Sequence, residues 1–303
     1  GEDVAPGGGA QMSAFADRII AAFHALVSSM AQGDRAYVVT HGGVIWRLAS
    51  HILRRTGEAA PLMPPFNTAT TTITIGEDGE SQLTVFNDAT HLDHVTAQFG
   101  PEGRFVTLVR HGETEGNLVG VWQGHSDSAL TETGEQQAKF ASMCIPEIGA
   151  LYTSPLGRTR QTAGIIGDAL GVTPKPHDGF KEMAFGSWEN LTSHEAAELQ
   201  PELFSRIYDD GLDLPRGGSG ETFGQAGKRV AETVESLVDL TDTDFAAVSH
   251  GAAIRAYIVH ITGMTFAERD RLPIPRNTSM SSVIYAGRRP VLAHYNVAPH
   301  LDR

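Results

Sequence analysis

The stretch that most constrains this chain is Phe105-Val-Thr-Leu-Val-Arg-His-Gly-Glu-Thr-Glu-Gly-Asn117. Five residues with strand character, four of them apolar, run without a break into Arg110-His111-Gly112. Such a run reads as a strand buried on both faces, and glycine lets the backbone turn at once where it ends. In open α/β sheets, ligands bind in the crevice beyond the carboxyl ends of the strands. A guanidinium and an imidazole at that point suit an anionic ligand such as a phosphate. His111 is the candidate nucleophile.

Strands and helices alternate after this stretch, which argues for a three-layer α/β/α sandwich. Thr131 or Thr133 can cap the helix that follows Leu130. Leu151 to Ser154 reads as a strand, and Ser154-Pro155-Leu156-Gly157-Arg158 opens a helix behind it. A loop with two carboxylates, Glu182 and Glu189, and the aromatics Phe185 and Trp188 comes next. Another apolar strand, residues 245–249, leads into His250-Gly251.

The first hundred residues repeat part of this order. Residues 12–29 have apolar residues at helical spacing, and residues 36–40 read as a short buried strand ending in His41-Gly42-Gly43. Asn67-Thr68 precedes a hairpin with strands near 70–75 and 83–87. His250 follows His41 by 209 positions, Asn277 follows Asn67 by 210, and Asn296 follows Asn87 by 209. A repeat of about one domain length means tandem domains, not a solenoid. The expectation is a complete unit at 101–303 and, at 1–100, the carboxyl-terminal half of another that lacks a nucleophile. The strand with its own Arg-His-Gly would then precede Gly1. Residues 98–103 read as the linker. Such a half unit would expose strand edges, so a missing segment, another chain, a homo-oligomer contact or the complete unit should cover them.

Composition excludes several classes. A net charge of -13 argues against nucleic acid as the main partner, and residues 1–100 contain no lysine and five arginines against ten acids. No apolar run reaches the roughly 20 residues of a membrane span. The single cysteine, Cys144, rules out an intrachain disulfide and suits a reducing cytoplasm. Phosphate affinity must therefore come from a few focused cations.

Together the motifs resemble those of the histidine phosphatase superfamily, which includes the cofactor-dependent phosphoglycerate mutases. They are Arg110-His111-Gly112-Glu113-Thr114, Asn117, Gln123-Gly124, Ser154-Pro155-Leu156 with Arg158, Glu182 ahead of Phe185-Gly186, and His250-Gly251. The resemblance implies the phosphoglycerate mutase-like fold and a phosphoric monoester hydrolase acting on a small phosphorylated substrate. His111 would form a phosphohistidine, and Glu182 would serve as general acid and base. Arg110, Arg158, Asn117, His250 and the Gln123-Gly124 pair would hold the phosphate. The chemistry is consistent with those residue types. Phosphoryl transfer needs a nucleophile, positioning and charge stabilisation, and arginine forks match phosphate oxygens. No metal or other cofactor is expected.

Members of the family commonly carry an arginine just before Gln-Gly, where this chain has Val121-Trp122. That departure favours a phosphatase over a mutase-type phosphotransferase, which is the second reading. A non-catalytic module binding phosphorylated ligands is the third. Among other candidates, Arg160 reads as a solvated helix residue, His125 and His260 as surface or core histidines, and His91 and His94 as a solvated tail. Glu113 and Glu189 rival Glu182 as the acid.

Overall fold

The computed structural model describes residues 11–53, 61–92, 103–287 and 289–301. The chain order begins with α1 (Met12–Ser28), α2 (Gly42–Ile52), β1 (Thr70–Ile75), β2 (Ser81–Asp88) and β3 (Gly103–Arg110). The single turn α3 (Glu115–Leu118), α4 (Glu132–Ser142), β4 (Ala150–Thr153), α5 (Gly157–Leu170) and β5 (Pro174–Pro176) follow. Then come α6 (Ser193–Leu199), α7 (Pro201–Tyr208), α8 (Phe223–Leu240), β6 (Phe245–Ser249), α9 (Gly251–Thr262), β7 (Met280–Ala286) and β8 (Arg289–Val297).

All eight strands join one mixed sheet, in the order β1-β2-β8-β7-β3-β6-β4-β5. Strand β6 pairs in parallel with β3 on one side and β4 on the other, and it is buried at every position. Side chains alternate between two cores, as the strand period requires. Val106, Leu108, Phe245 and Ala247 face α8 and α9, whereas Val109, Ala246 and Val248 face Ala163 and Ile166 of α5. This is the three-layer arrangement the alternation implied. Of the two threonines offered as the α4 cap, Thr131 does the work, its hydroxyl accepting from the Gly134 amide.

Residues 61–92 do not build a separate sheet. Strand β2 pairs antiparallel with β8, placing Phe86 opposite Tyr295 and extending the sheet past the edge of the second segment. The two hairpins share one register. Thr70↔Asp88, Thr72↔Val85 and Ile73↔Leu83 in the first match Met280↔Val297, Ser282↔His294 and Val283↔Leu292 in the second, with irregularities at the same places. The left-handed residues Thr68 and Asn87 also match Thr278 and Asn296. The contact between the hairpins is reciprocal: Asn87 Nδ2 donates to Ala293 O at 2.9 Å, and Asn296 Nδ2 donates to Thr84 O at 3.0 Å. Ala49, Ile52 and Leu53 of α2 and its end enter the same core as α8 and α9.

One expectation fails. Residues 36–40 are not a buried strand but exposed chain without regular structure, with Tyr37 93% and Val39 101% exposed. The equivalent β6 owes its strand state to flanking β3 and β4, and no strand flanks 36–40 among the described residues. The expected covering is therefore partial: β8 covers the edge of β2, while the outer edge of β1 pairs with no other described strand. Most of the expected linker, 98–102, and His94 lie outside the described residues.

Candidate active site

Three adjacent parallel strands end side by side, and each delivers a polar group at its carboxyl end. β3 ends at Arg110 and passes to His111, β4 passes to Ser154, and β6 passes to His250. Gly112 permits the turn after His111, since a Cβ there would collide with the backbone of Gly134. Backbone bonds lock the position: His111 N donates to Ser249 O at 3.0 Å, and Gly112 N donates to Thr162 Oγ1 at 3.0 Å.

His111 is 3% exposed, and its Nδ1 lies 2.7 Å from Gly112 O. A carbonyl can only accept, so Nδ1 carries the proton and Nε2 keeps its lone pair. Burial, reinforced by the Arg110 and Arg158 guanidinium groups, holds the imidazole well below its ordinary pKa. It is neutral at physiological pH, the form that can attack. The His250 ring lies 5.3 Å away, centroid to centroid, with its Nε2 2.9 Å from Ser154 Oγ. Burial, reinforced by the Arg158 and Arg110 guanidinium groups, holds His250 well down too. The proton that a bound dianion would bring to His250 is thus absent in the ligand-free site.

Arg110 is lowered to about 10 by burial, a penalty offset in part by Glu182, and stays charged. Its Nη1 donates to Pro275 O at 2.7 Å, and its guanidinium packs over Gly251, where a Cβ would press on it. Arg158 is 1% exposed; its Nη1 donates to Ser126 O at 2.7 Å and Asp127 Oδ1 at 3.2 Å, and its Nη2 to Gly124 O at 2.8 Å. Asp127 also accepts the Gly157 and Arg158 amides at the start of α5. By contrast Arg160 is exposed, as its neighbouring position on the helix led one to expect. Among the described residues, Arg110 Nε, Arg158 Nε and His250 Nδ1 are buried without a hydrogen-bond partner. Buried polar groups are normally satisfied; others without a partner lie elsewhere among the described residues, Trp188 Nε1 and Arg216 Nε included, but these three nitrogens belong to one constellation.

Glu182 sits where the loop after β5 passes the start of α9. Its Oε1 accepts from Met183 N at 2.8 Å and Ala253 N at 2.9 Å, and its Oε2 from Ala252 N at 3.3 Å. The rivals are engaged elsewhere: Glu113 Oε1 accepts from Thr131 Oγ1, and Glu189 accepts from the His125 and Phe185 amides and Ser126 Oγ. Asn117 Oδ1 accepts from Thr114 N at 3.2 Å and from Asn277 Nδ2 at 3.1 Å. Asn117 is therefore both a helix-cap partner and, through Nδ2, an oriented donor.

Gln123 has a supporting place. Its Nε2 donates to Thr114 Oγ1 at 2.7 Å, and its Oε1 accepts from Ser128 Oγ at 2.9 Å. Gly124 contributes the carbonyl that fixes Arg158. The sequence reading missed three participants. His125, read as an ordinary surface or core residue, has Nε2 2.9 Å from Glu182 O. Asn277 bridges Asn117 and His111 O at 3.0 Å, and its recurrence at Asn67 was its only sequence signal. Asp127 had its place in the run after Gln-Gly. In the first segment, His41 is exposed and caps the start of α2 without a side-chain bond to it. His91 Nε2 lies 2.8 Å from Thr68 Oγ1.

A neutral, tautomer-fixed imidazole flanked by two arginines and a second histidine lies at the carboxyl edge of a mixed α/β sheet, an arrangement suited to an anionic ligand. The comparisons give the chain its family. The model of the histidine phosphatase superfamily (branch 1) matches residues 1–89 and 106–298, and the chain belongs to that superfamily. Relatives include a probable phosphoglycerate mutase GpmB of Serratia proteamaculans, 37% identical over 182 residues, covering 59% of this chain and 83% of that one. The phosphoserine phosphatase of Entamoeba histolytica in complex with 3-phosphoglyceric acid is 31% identical with a TM-score of 0.60, covering 65% of this chain and 99% of that one. YhfR of Bacillus stearothermophilus is 26% identical, with a TM-score of 0.60 and the same coverages. No described helix is long and apolar enough to cross a membrane.

Proposed function

We propose that the chain is a phosphomonoesterase working through phosphohistidine at His111. The observation that carries this is the buried, neutral His111 ring, its Nδ1 on Gly112 O, beside three buried nitrogens of Arg110, Arg158 and His250 that lack partners. Nε2 attacks phosphorus, the bond to the leaving oxygen breaks, and that oxygen takes a proton from Glu182. Water then attacks the phosphohistidine and passes its proton to the Glu182 carboxylate. The P–N bond breaks and free imidazole returns. Arg110, Arg158, Asn117 and His250 hold the phosphate oxygens throughout, with Gln123 and Gly124 shaping the cradle from behind.

A small phosphorylated hydroxy compound is the fitting substrate class. The Entamoeba relative is a phosphoserine phosphatase with 3-phosphoglyceric acid bound, which supports it. The GpmB relatives support the second reading, a phosphotransferase using the same residues. Val121-Trp122 in place of a family arginine favours hydrolysis. Residues 1–100 are proposed to derive from the carboxyl-terminal half of a second unit and to have no catalytic role, with the complete unit at 101–303. The common hairpin register and the reciprocal Asn87 and Asn296 bonds support this.

The test is incubation with a labelled phosphomonoester and an alkaline quench, which preserves phosphohistidine. Label together with phosphate release, both lost in His111→Ala, is the expected result. Transfer of label mainly to a second hydroxy acid would establish the transferase. Absence of both label and free phosphate would leave a binding module.

A further inference from the structure

Behind the Glu182 loop lies an ion pair whose geometry exceeds what a surface pair needs. Arg229, on α8, grips Glu221 with a two-pronged fork, Nε to Oε1 at 2.8 Å and Nη2 to Oε2 at 2.8 Å. The same guanidinium donates from Nη1 to Gly179 O at 2.8 Å and Lys181 O at 3.0 Å, and from Nη2 to Glu182 O at 3.4 Å. Arginine has five N–H donors, and these five bonds engage all of them. Glu221 completes the grip, since its Oε2 accepts from Ala184 N at 3.0 Å and its own amide donates to Ala184 O at 2.9 Å. One charged pair thus holds residues 179, 181, 182 and 184, on both sides of the Glu182 side chain.

Both partners are about a quarter exposed, where an isolated pair contributes little to stability. Stability alone is a weak reason for such geometry. Bidentate arginine adds directional specificity, which a loop bearing a reacting carboxylate needs. Burial works against the Glu221 charge, yet its hydrogen bonds and the Arg229 charge leave its pKa below the ordinary value, so the brace stays ionised near neutrality.

We infer that Arg229 and Glu221 are positioning residues that aim the Glu182 carboxylate at the leaving-group oxygen. The inference rests on the acid–base role proposed for Glu182. Neither residue touches the phosphate cradle; they act through the backbone that presents Glu182. A displacement of about 1 Å in such a group costs on the order of a hundredfold in rate.

The reading predicts a dependence on leaving group that a purely structural brace would not produce. A poor leaving oxygen needs the acid, whereas a strongly acidic phenol does not. The full chain should be assayed with phenyl, 4-nitrophenyl and 2,4-dinitrophenyl phosphate as wild type, Glu182→Gln, Arg229→Met, Arg229→Lys and Glu221→Gln. In Arg229→Met, kcat/KM, which reports the steps up to departure of the leaving group, should fall about a hundredfold for phenyl phosphate and less than about threefold for 2,4-dinitrophenyl phosphate. Arg229→Lys should recover part of the loss. Adding Arg229→Met to Glu182→Gln should cost little more, because both act on one step. Glu221→Gln keeps the side-chain shape and should show the same trend more weakly; it carries the test if Arg229→Met does not fold. An equal fall across the three esters in the brace variants, with a graded fall in Glu182→Gln, would overturn the positioning role alone. An equal fall in Glu182→Gln would overturn the acid role and the inference with it.

Discussion

At the scale of single residues, the site depends on which end of each polar group is already engaged. Asn117 shows this most directly. Its oxygen takes the Thr114 amide and Asn277 Nδ2, so its own NH₂ is the end left for a ligand. Asn117→Asp keeps both accepted bonds but replaces a donor with a negative charge facing phosphate. The expected outcome is a loss of about 3 kcal/mol in kcat/KM, roughly a hundredfold, with the melting temperature little changed. Steady-state kinetics beside a thermal melt would check it, and loss of stability without loss of rate would make Asn117 a cap only. Asp127 is the converse case. It pairs with Arg158, which is nearly inaccessible to solvent, and accepts the first amides of α5. Asp127→Ala should therefore cost about 1–3 kcal/mol of stability and also weaken inhibition by inorganic phosphate, because Arg158 loses an anchor. Urea denaturation and a phosphate inhibition constant measure the two effects separately.

At the scale of elements, the joint between the hairpins makes its own prediction. Asn87 is fully buried, accepts from Phe66 N at 2.9 Å and donates to Ala293 O, all from a left-handed backbone with φ of 56°. Asn87→Ala leaves both partners unsatisfied and should cost about 2–4 kcal/mol, whereas Asn87→Gly relieves the backbone and should cost less. Hydrogen exchange should show β1 and β2 losing protection first in either variant. The hairpins were legible in the sequence because alternation and turn residues are local signals, and so was the strand-end site, because β3 and β6 run directly into Arg110-His111 and His250. Residues 36–40 misled because their apolar run matches 245–249, while strand state depends on neighbours that the run itself does not encode. His125 and Arg229 were illegible as site residues for a related reason. Both reach backbone carbonyls of a loop more than 45 positions away in sequence, and a carbonyl leaves no mark in the residue type.

At the scale of the whole molecule, the buried histidines couple stability to pH. Burial, as the leading cause, lowers the pKa of His111, His250 and His294, while an unfolded imidazole titrates near 6.5. Below that pH the unfolded chain takes up protons that the native state refuses. The unfolded state then binds more protons, so stability rises with pH and falls on acidification. Their contribution is fully present above the unfolded value and declines from about pH 6.5 downward, by up to about 1.4 kcal/mol per pH unit for each histidine. The interval from pH 7 to 5.5 isolates the effect, since ordinary carboxylates protonate lower. His294 lies outside the phosphate cradle, with Nδ1 on Asn87 O at 2.6 Å, so His294→Gln should lower the slope without touching the cradle. Inorganic phosphate should act on the other two. A bound anion offsets the Arg110 and Arg158 charges and favours protonated His250 in the native state, which narrows the proton difference between the states. Denaturation at several pH values, with and without phosphate, is therefore expected to show a steep slope without the anion and a shallower one with it. Equal slopes in the two series would mean that phosphate does not bind beside His250, and a flat profile from pH 7 to 5.5 would mean that these histidines titrate in the native protein as they do in the unfolded chain.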